Sequence, residues 1–242
     1  MDIIYDDCSL SNESVGLLMT YRCNLDCSYC YIKNKLNKDM TLETAKAILE
    51  PFLMKDDGWL DIIFVGGETL MATDVIRPLV EWAKNGGYKR HCRFFGSTNG
   101  TLLNDELKAW LTEYKDHLIL SLSYDGIPSV QKNNRGCDDI DTDFFIRTWP
   151  GQSIQMTVNS NSVEHMAEGV IYLLEKGAIV HPNVAYEDSD WSDDKISEYA
   201  VQLRKLIDYY NSHDDLPMIT QFVHNVHEYA DNIQNPKAPV QV

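Results

Sequence analysis

Apolar positions along the 242-residue chain follow two alternating periods. Short, near-continuous apolar runs recur at residues 14–20 (S-V-G-L-L-M-T), 59–65 (W-L-D-I-I-F-V), 92–97 (C-R-F-F-G-S), 117–123 (H-L-I-L-S-L-S), 153–158 (S-I-Q-M-T-V) and 178–186 (A-I-V-H-P-N-V-A-Y). Each predicts a strand of a parallel sheet covered on one or both faces. Helical spacing fills the intervals. Thr41 reads as an N-cap, followed by Ala45, Ile48, Leu49 and Phe52 on one face. A second helix is predicted over 72–85, with Val75, Ile76, Leu79 and Trp82 inward, and a third over 104–115. Another covers 162–176, where Gly177 stands as a C-terminal capping glycine. A long helix follows with Ile196, Ala200, Leu203, Ile207 and Tyr210 on one face. Residues 124–150 read as irregular, with a helical turn or two near 139–148. Pro182 implies a bend or a sheet edge.

Six β-α units in series predict an α/β fold with a covered parallel sheet. Right-handed crossovers roll such units into an open partial (β/α)6 barrel or leave a doubly wound sheet. Both bind ligands at the C-terminal strand ends. Four motifs fall just past strands one to four: C-N-L-D-C-S-Y-C (23–30), G-G-E (66–68), T-N-G (98–100) and S-Y-D-G (123–126). The barrel is assigned to 14–212, with 1–13 as an N-terminal lead-in and 213–242 as a linker or truncated C-terminal extension.

Charge narrows the partners. With 37 acids against 21 bases the net charge is −16, which argues against nucleic acid. The excess acid either steers a basic partner or simply keeps the chain soluble. No apolar run is long enough to span a membrane, and the acidic N-terminus lacks the basic region of a signal peptide. The expected location is cytoplasmic, and the expected chemistry of the six cysteines is that of free thiols. Cys8, Cys92 and Cys137 are scattered singly, and Cys92 sits in an apolar run as a core residue.

Cys23, Cys27 and Cys30 are the candidates for metal chemistry. Structural zinc wants four protein ligands, and no histidine lies near the triplet. A [4Fe–4S] cluster held by three thiolates keeps one iron open to a ligand. The alternative from the residues alone is a structural metal with a distant fourth ligand. The remaining histidines lack H-E-x-x-H spacing, and His224 with His227 reads as a surface pair. The acidic runs 138–143 and 187–194 read as solvated faces, the first lacking a calcium-loop pattern. The second could engage a basic peptide or favour a helix N-terminus.

C-N-L-D-C-S-Y-C resembles the C-x3-C-x-aromatic-C signature of the radical S-adenosylmethionine (radical SAM) enzymes. G-G-E, T-N-G-T-L-L and S-Y-D-G are similar to motifs of the branch that holds anaerobic sulfatase maturases and peptide-modifying enzymes. The resemblance covers roughly residues 14–212. It implies a [4Fe–4S] cluster on Cys23, Cys27 and Cys30, with S-adenosylmethionine (SAM) chelating the open iron. It further implies one-electron cleavage to a 5′-deoxyadenosyl radical that abstracts hydrogen from a peptide or protein side chain. The outcome would be a crosslink, an epimerised centre or an oxidised residue. An external donor such as flavodoxin or ferredoxin would supply the electron.

By the same resemblance, Tyr29 would lie against the adenine, Gly66 and Gly67 would permit close backbone approach, and Glu68 or the backbone beside it would hold the SAM ammonium. Ser123 and Arg135 would hold the ribose and carboxylate, Asn99 would add a polar contact, and Val184 would pack on the adenine. The bland readings are packing for Tyr29, a tight turn for the glycines, an Asn-Gly turn for Asn99 and a solvated surface charge for Arg135. The motif departs from the family at Thr69, where proline is usual, and at Val65, where glutamine is frequent. No cysteine follows Cys137, so the cysteine-rich SPASM domain of that branch is expected to be missing, either by truncation or because the protein works without it. The competing functional classes are an electron-carrying iron–sulfur protein and a zinc-stabilised interaction domain. No catalytic acid or base is assigned.

Overall fold

The computed structural model describes residues 11–55, 58–185 and 190–222. Cys8, His224, His227, most of the last segment and part of the 187–194 acidic run lie outside them. Six parallel strands alternate with helices. They run β1 (Ser11–Thr20), α1 (Leu42–Leu53), β2 (Trp59–Gly66), α2 (Thr73–Asn85), β3 (His91–Thr98), α3 (Asp105–Glu113) and β4 (Leu118–Leu122). Then come α4 (Pro128–Arg135), α5 (Thr142–Thr148), β5 (Ser153–Val158), α6 (Met166–Glu175), β6 (Ile179–Val184) and α7 (Asp193–Asn211). Strand order follows chain order, forming the open partial barrel.

The sheet is not continuous. β1 to β4 form one ladder and β5–β6 another, joined by a single parallel bridge between Ser123 and Gln155. At this seam the Asp125 carboxylate accepts the Thr157 backbone N–H at 3.0 Å, a bond the ladder would otherwise supply. Among the described residues β6 pairs only with β5, so Pro182 sits on an edge strand there, where its missing N–H costs nothing. Leu17, Met19, Ile62, Phe64 and Phe94 point into one apolar core under the helices. On the opposite sheet face Leu18, Ile63 and Val65 remain about two-fifths exposed, at 38%, 41% and 43%. That face is open, and it also carries the Asp61–Arg93 ion pair.

Helix starts follow the capping expectations. Thr41 accepts the Thr44 N–H, and Asn104 accepts the Leu107 N–H. Gly177, at positive φ, closes α6 by donating to Leu174, while Ala178 donates to Leu173. The sequence expectation departs from the structure in three places. β1 begins at Ser11, inside the expected lead-in. α4 falls where irregular chain was expected, because the side chains it buries include Gln131, Asn134 and Arg135 and so carry no apolar period. On α7, Ile196 and Ile207 are exposed at 55% and 45%, whereas Leu206 and Gln202 are buried. Gln202 turns the helix inward by accepting the Ala167 N–H at 3.1 Å.

Candidate functional site

The segment after β1 turns back on the strand it leaves. Thr20 donates its hydroxyl to Asp39 at 2.6 Å, and the Arg22 guanidinium pairs with Asp39 and donates to the Met71 carbonyl. This hairpin throws out the loop carrying Cys23, Cys27 and Cys30. Lys35 clips it by donating to the Leu25 carbonyl and to Asp26.

The ends of the next strands grip the loop. Gly67 and Glu68 donate backbone N–H groups to the carbonyls of Thr20 and Arg22 at 2.9 and 2.8 Å. The two glycines are required by this crossing. A Cβ on Gly66 would lie 2.3 Å from the Thr20 oxygen, and one on Gly67 would lie 2.2 Å from the Arg22 oxygen. Asn99 donates to the side chain of Asn24 at 2.9 Å, while its amide oxygen takes the Thr101 N–H and hydroxyl. Ser28 donates its backbone N–H to the Asn134 carbonyl on α4, and Tyr29 donates its hydroxyl to Asp125 at 2.6 Å.

These elements enclose a cleft of about 420 Å³ at the C-terminal ends of the strands, a size suited to a cofactor-sized ligand. Every candidate site residue named from the sequence lines it: the three cysteines, Tyr29, Gly66, Gly67, Glu68, Asn99, Ser123, Arg135 and Val184. Their detailed roles differ from the sequence expectation in places. Glu68 is buried, and its oxygens already accept from Leu70, Asn99 and the Thr98 hydroxyl. The carboxylate therefore joins β2 to β3, which narrows its capacity for an ammonium. Burial raises its pKa, against the three hydrogen bonds that lower it. Asn99 forms both its Asn-Gly turn and the tie to the cysteine loop.

Arg135 is not a surface charge. It is 8% exposed and donates to Asp125 at 2.9 Å, with Thr157 at 3.4 Å. Its guanidinium stands 5.4 Å from the centroid of the Tyr29 ring. Burial opposes the charge, but the Asp125 carboxylate outweighs it and raises the arginine's pKa. Burial also pushes the Tyr29 phenol well above its ordinary range. Sequence reasoning passed over Asp125 and Thr157. The signal for Asp125 was an acid directly after an apolar strand, inside a motif read only for its serine.

Burial pushes the Cys23 and Cys27 thiols up, while the nearby Arg135 pulls Cys27 back down. Binding metal would therefore release protons. All three cysteines are free. Among the described residues, no three His, Cys, Asp or Glu side chains gather closely enough to hold a metal ion. Three thiols lining one cleft offer the ligands a [4Fe–4S] cluster needs on three of its irons. Arg135 Nε is buried without a hydrogen-bond partner, beside a cleft that a carboxylate could enter. The donor set fits both a cluster and an amino-acid-bearing ligand.

The family model described as the radical SAM superfamily matches residues 17–138, from β1 through the cysteine loop to the end of α4. The chain belongs to the radical SAM superfamily. That family uses a [4Fe–4S] cluster and SAM. The radical SAM chain is 33% identical over 121 residues to an Fe-coproporphyrin III synthase of Methanosarcina barkeri, covering 49% of this chain and 28% of that protein. It is 28% identical over 119 residues to the antilisterial bacteriocin subtilosin biosynthesis protein AlbA of Bacillus subtilis, covering 49% of this chain and 25% of that one. The chain thus spans less than a third of the length of either relative. Among solved structures, anSMEcpe with bound AdoMet superposes with a TM-score of 0.71 at 22% identity, over 93% of this chain and 67% of that one. Streptococcus suis SuiB bound to precursor peptide SuiA gives 0.64 at 19% identity, over 92% and 52%. At these identities the superpositions speak for the fold. Among the described residues no helix is long and apolar enough to cross a membrane.

Proposed function

We propose that this chain is the catalytic core of a radical SAM enzyme that removes hydrogen from a peptide or protein side chain. The observation that carries the reading is the convergence of three free cysteines and a buried, partly unsatisfied arginine on one cleft at the strand ends. Cys23, Cys27 and Cys30 would hold the cluster. The Gly66–Gly67 backbone, Ser123, Arg135 and Val184 would hold SAM, with Tyr29 beside its adenine. When bound, this pair of cofactors supplies abstraction of hydrogen from an unactivated C–H bond. The protein's part is to orient and shield. Arg135 offers a fixed charge to the carboxylate, and Asp125 keeps it in place. An external one-electron donor such as flavodoxin or ferredoxin would reduce the centre. Support for a peptide substrate comes from AlbA's role in bacteriocin biosynthesis and from the peptide seated on SuiB. The open sheet face offers the exposed side chains of Leu18, Ile63 and Val65 to a substrate.

The test uses reconstituted, dithionite-reduced protein with SAM and a deuterated cell extract divided into protein-plus-peptide and small-molecule fractions. Deuterium entering 5′-deoxyadenosine from the first fraction supports the reading. Deuterium arriving only from the second would contradict it and favour a small substrate, as the name of the Methanosarcina relative suggests for that protein.

A further inference from the structure

Asp125 lies at the centre of a buried polar cluster that ties the cysteine loop to the far wall of the cleft. Its side chain is fully buried. Oδ1 accepts from Arg135 at 2.9 Å and from the Thr157 backbone N–H at 3.0 Å. Oδ2 accepts from the Tyr29 hydroxyl at 2.6 Å and from the Asn134 amide at 3.1 Å. Its own N–H donates to Gln131 at 2.9 Å. A carboxylate with four incoming donors has no lone pair free to serve as an acid or base, so its role is to place other groups. Two of those donors, Tyr29 and Arg135, line the cleft from different elements, with the guanidinium carbon 5.4 Å from the centroid of the Tyr29 ring. Tyr29 lies between Cys27 and Cys30, 96 residues away from Asp125 in sequence. One carboxylate thus fixes the arginine and the loop that carries the cysteines.

We infer that Asp125 is a positioning residue that sets the geometry of Tyr29 and Arg135 as one unit, and that SAM affinity depends on it without its touching SAM. The inference rests on the cleft being the SAM site. The carboxylate is needed for its acceptor count as well as its charge. Asparagine keeps the shape but replaces one oxygen by an amino group, which would face two donors.

The test is equilibrium dialysis of radiolabelled SAM against cluster-reconstituted protein, with iron and sulfide content and melting temperature measured alongside. Asp125→Asn is expected to weaken SAM binding on the order of 10–100-fold, as loss of an outer positioning partner does elsewhere, while keeping most of its iron. Tyr29→Phe, which removes only the hydroxyl bond, should weaken binding less. The double variant should bind no worse than Asp125→Asn alone, since both changes break the same link. A merely structural role would lower the melting temperature and leave the affinity of the loaded fraction intact, and that result overturns the inference. If Asp125→Asn cannot be loaded, Tyr29→Phe decides: affinity within about twofold of the parent contradicts the inference. Failure of the parent to bind SAM would instead sink the cofactor assignment and the inference with it.

Discussion

Replacing Gly67 by alanine tests whether the glycine pair serves the cysteine loop or is only a turn. The new Cβ would sit 2.2 Å from the Arg22 carbonyl oxygen and 2.7 Å from its carbon, against the 3.4 Å at which ordinary contact begins. The overlap with the oxygen is therefore 3.4 − 2.2 = 1.2 Å. It cannot be absorbed by a side chain, because the atoms it meets are backbone. The Arg22 carbonyl also accepts the Glu68 N–H at 2.8 Å, and Cys23 Cβ lies 3.1 Å from the new atom. Relief has to move the segment that carries Cys23. Overpacking of this kind costs about 1–3 kcal/mol, and loss of the hydrogen bond adds about 1 kcal/mol. The expected total of about 2–4 kcal/mol corresponds to a melting-temperature drop of roughly 5–15 °C for a chain of this size. Iron and sulfide loading should fall with it. The assay is thermal melting of the apo protein, together with metal content after reconstitution. Gly151, with no atom within 4 Å of its added Cβ, is the matched control, and its alanine variant should behave as the parent. If Gly67→Ala melts and loads like the Gly151 control, the close crossing of β2 and the cysteine loop is wrong.

Further expectations concern single side chains. Alanine at Cys23, Cys27 or Cys30 should abolish most iron loading, whereas Cys92→Ala should retain it, both read by iron and sulfide content. Burial pushes the Cys92 thiol up to about 11, so at pH 8 its thiolate fraction is roughly two hundredfold below that of an ordinary cysteine. Its alkylation by iodoacetamide should be correspondingly slow and should quicken as pH rises. Glu68→Gln sets an amino group against donors that now meet a carboxylate, and should cost about 1–3 kcal/mol in a urea titration. An unchanged midpoint would remove Glu68 as the tie between β2 and β3.

The legible parts of this molecule are those where apolar period and chemistry coincide. Strands such as residues 59–65 and 153–158 announce themselves as short apolar runs of which one face is buried under the helices, and the cysteine triplet has a spacing with few meanings. α4 was not legible because its inward face is Gln131, Asn134 and Arg135, whose burial is justified only by partners elsewhere in the chain. The inward face of α7 was misread for a related reason: a buried glutamine bonded to the α6 backbone outranks two isoleucines that remain in solvent. Gly66 and Gly67 looked like a turn, and only the crossing of another backbone gives them their stricter role. Arg135 could be matched to a motif, but its placement over Tyr29 depends on Asp125, and that three-residue contact has no local trace in the sequence.

The most direct test of the cluster assignment is low-temperature EPR of the anaerobically reconstituted, dithionite-reduced protein, recorded with and without SAM. Three thiolates leave one iron available, so a reduced [4Fe–4S] signal is predicted whose g values shift when SAM is added. A signal that saturating SAM leaves unchanged, or a protein that holds zinc and shows no such signal, would contradict it.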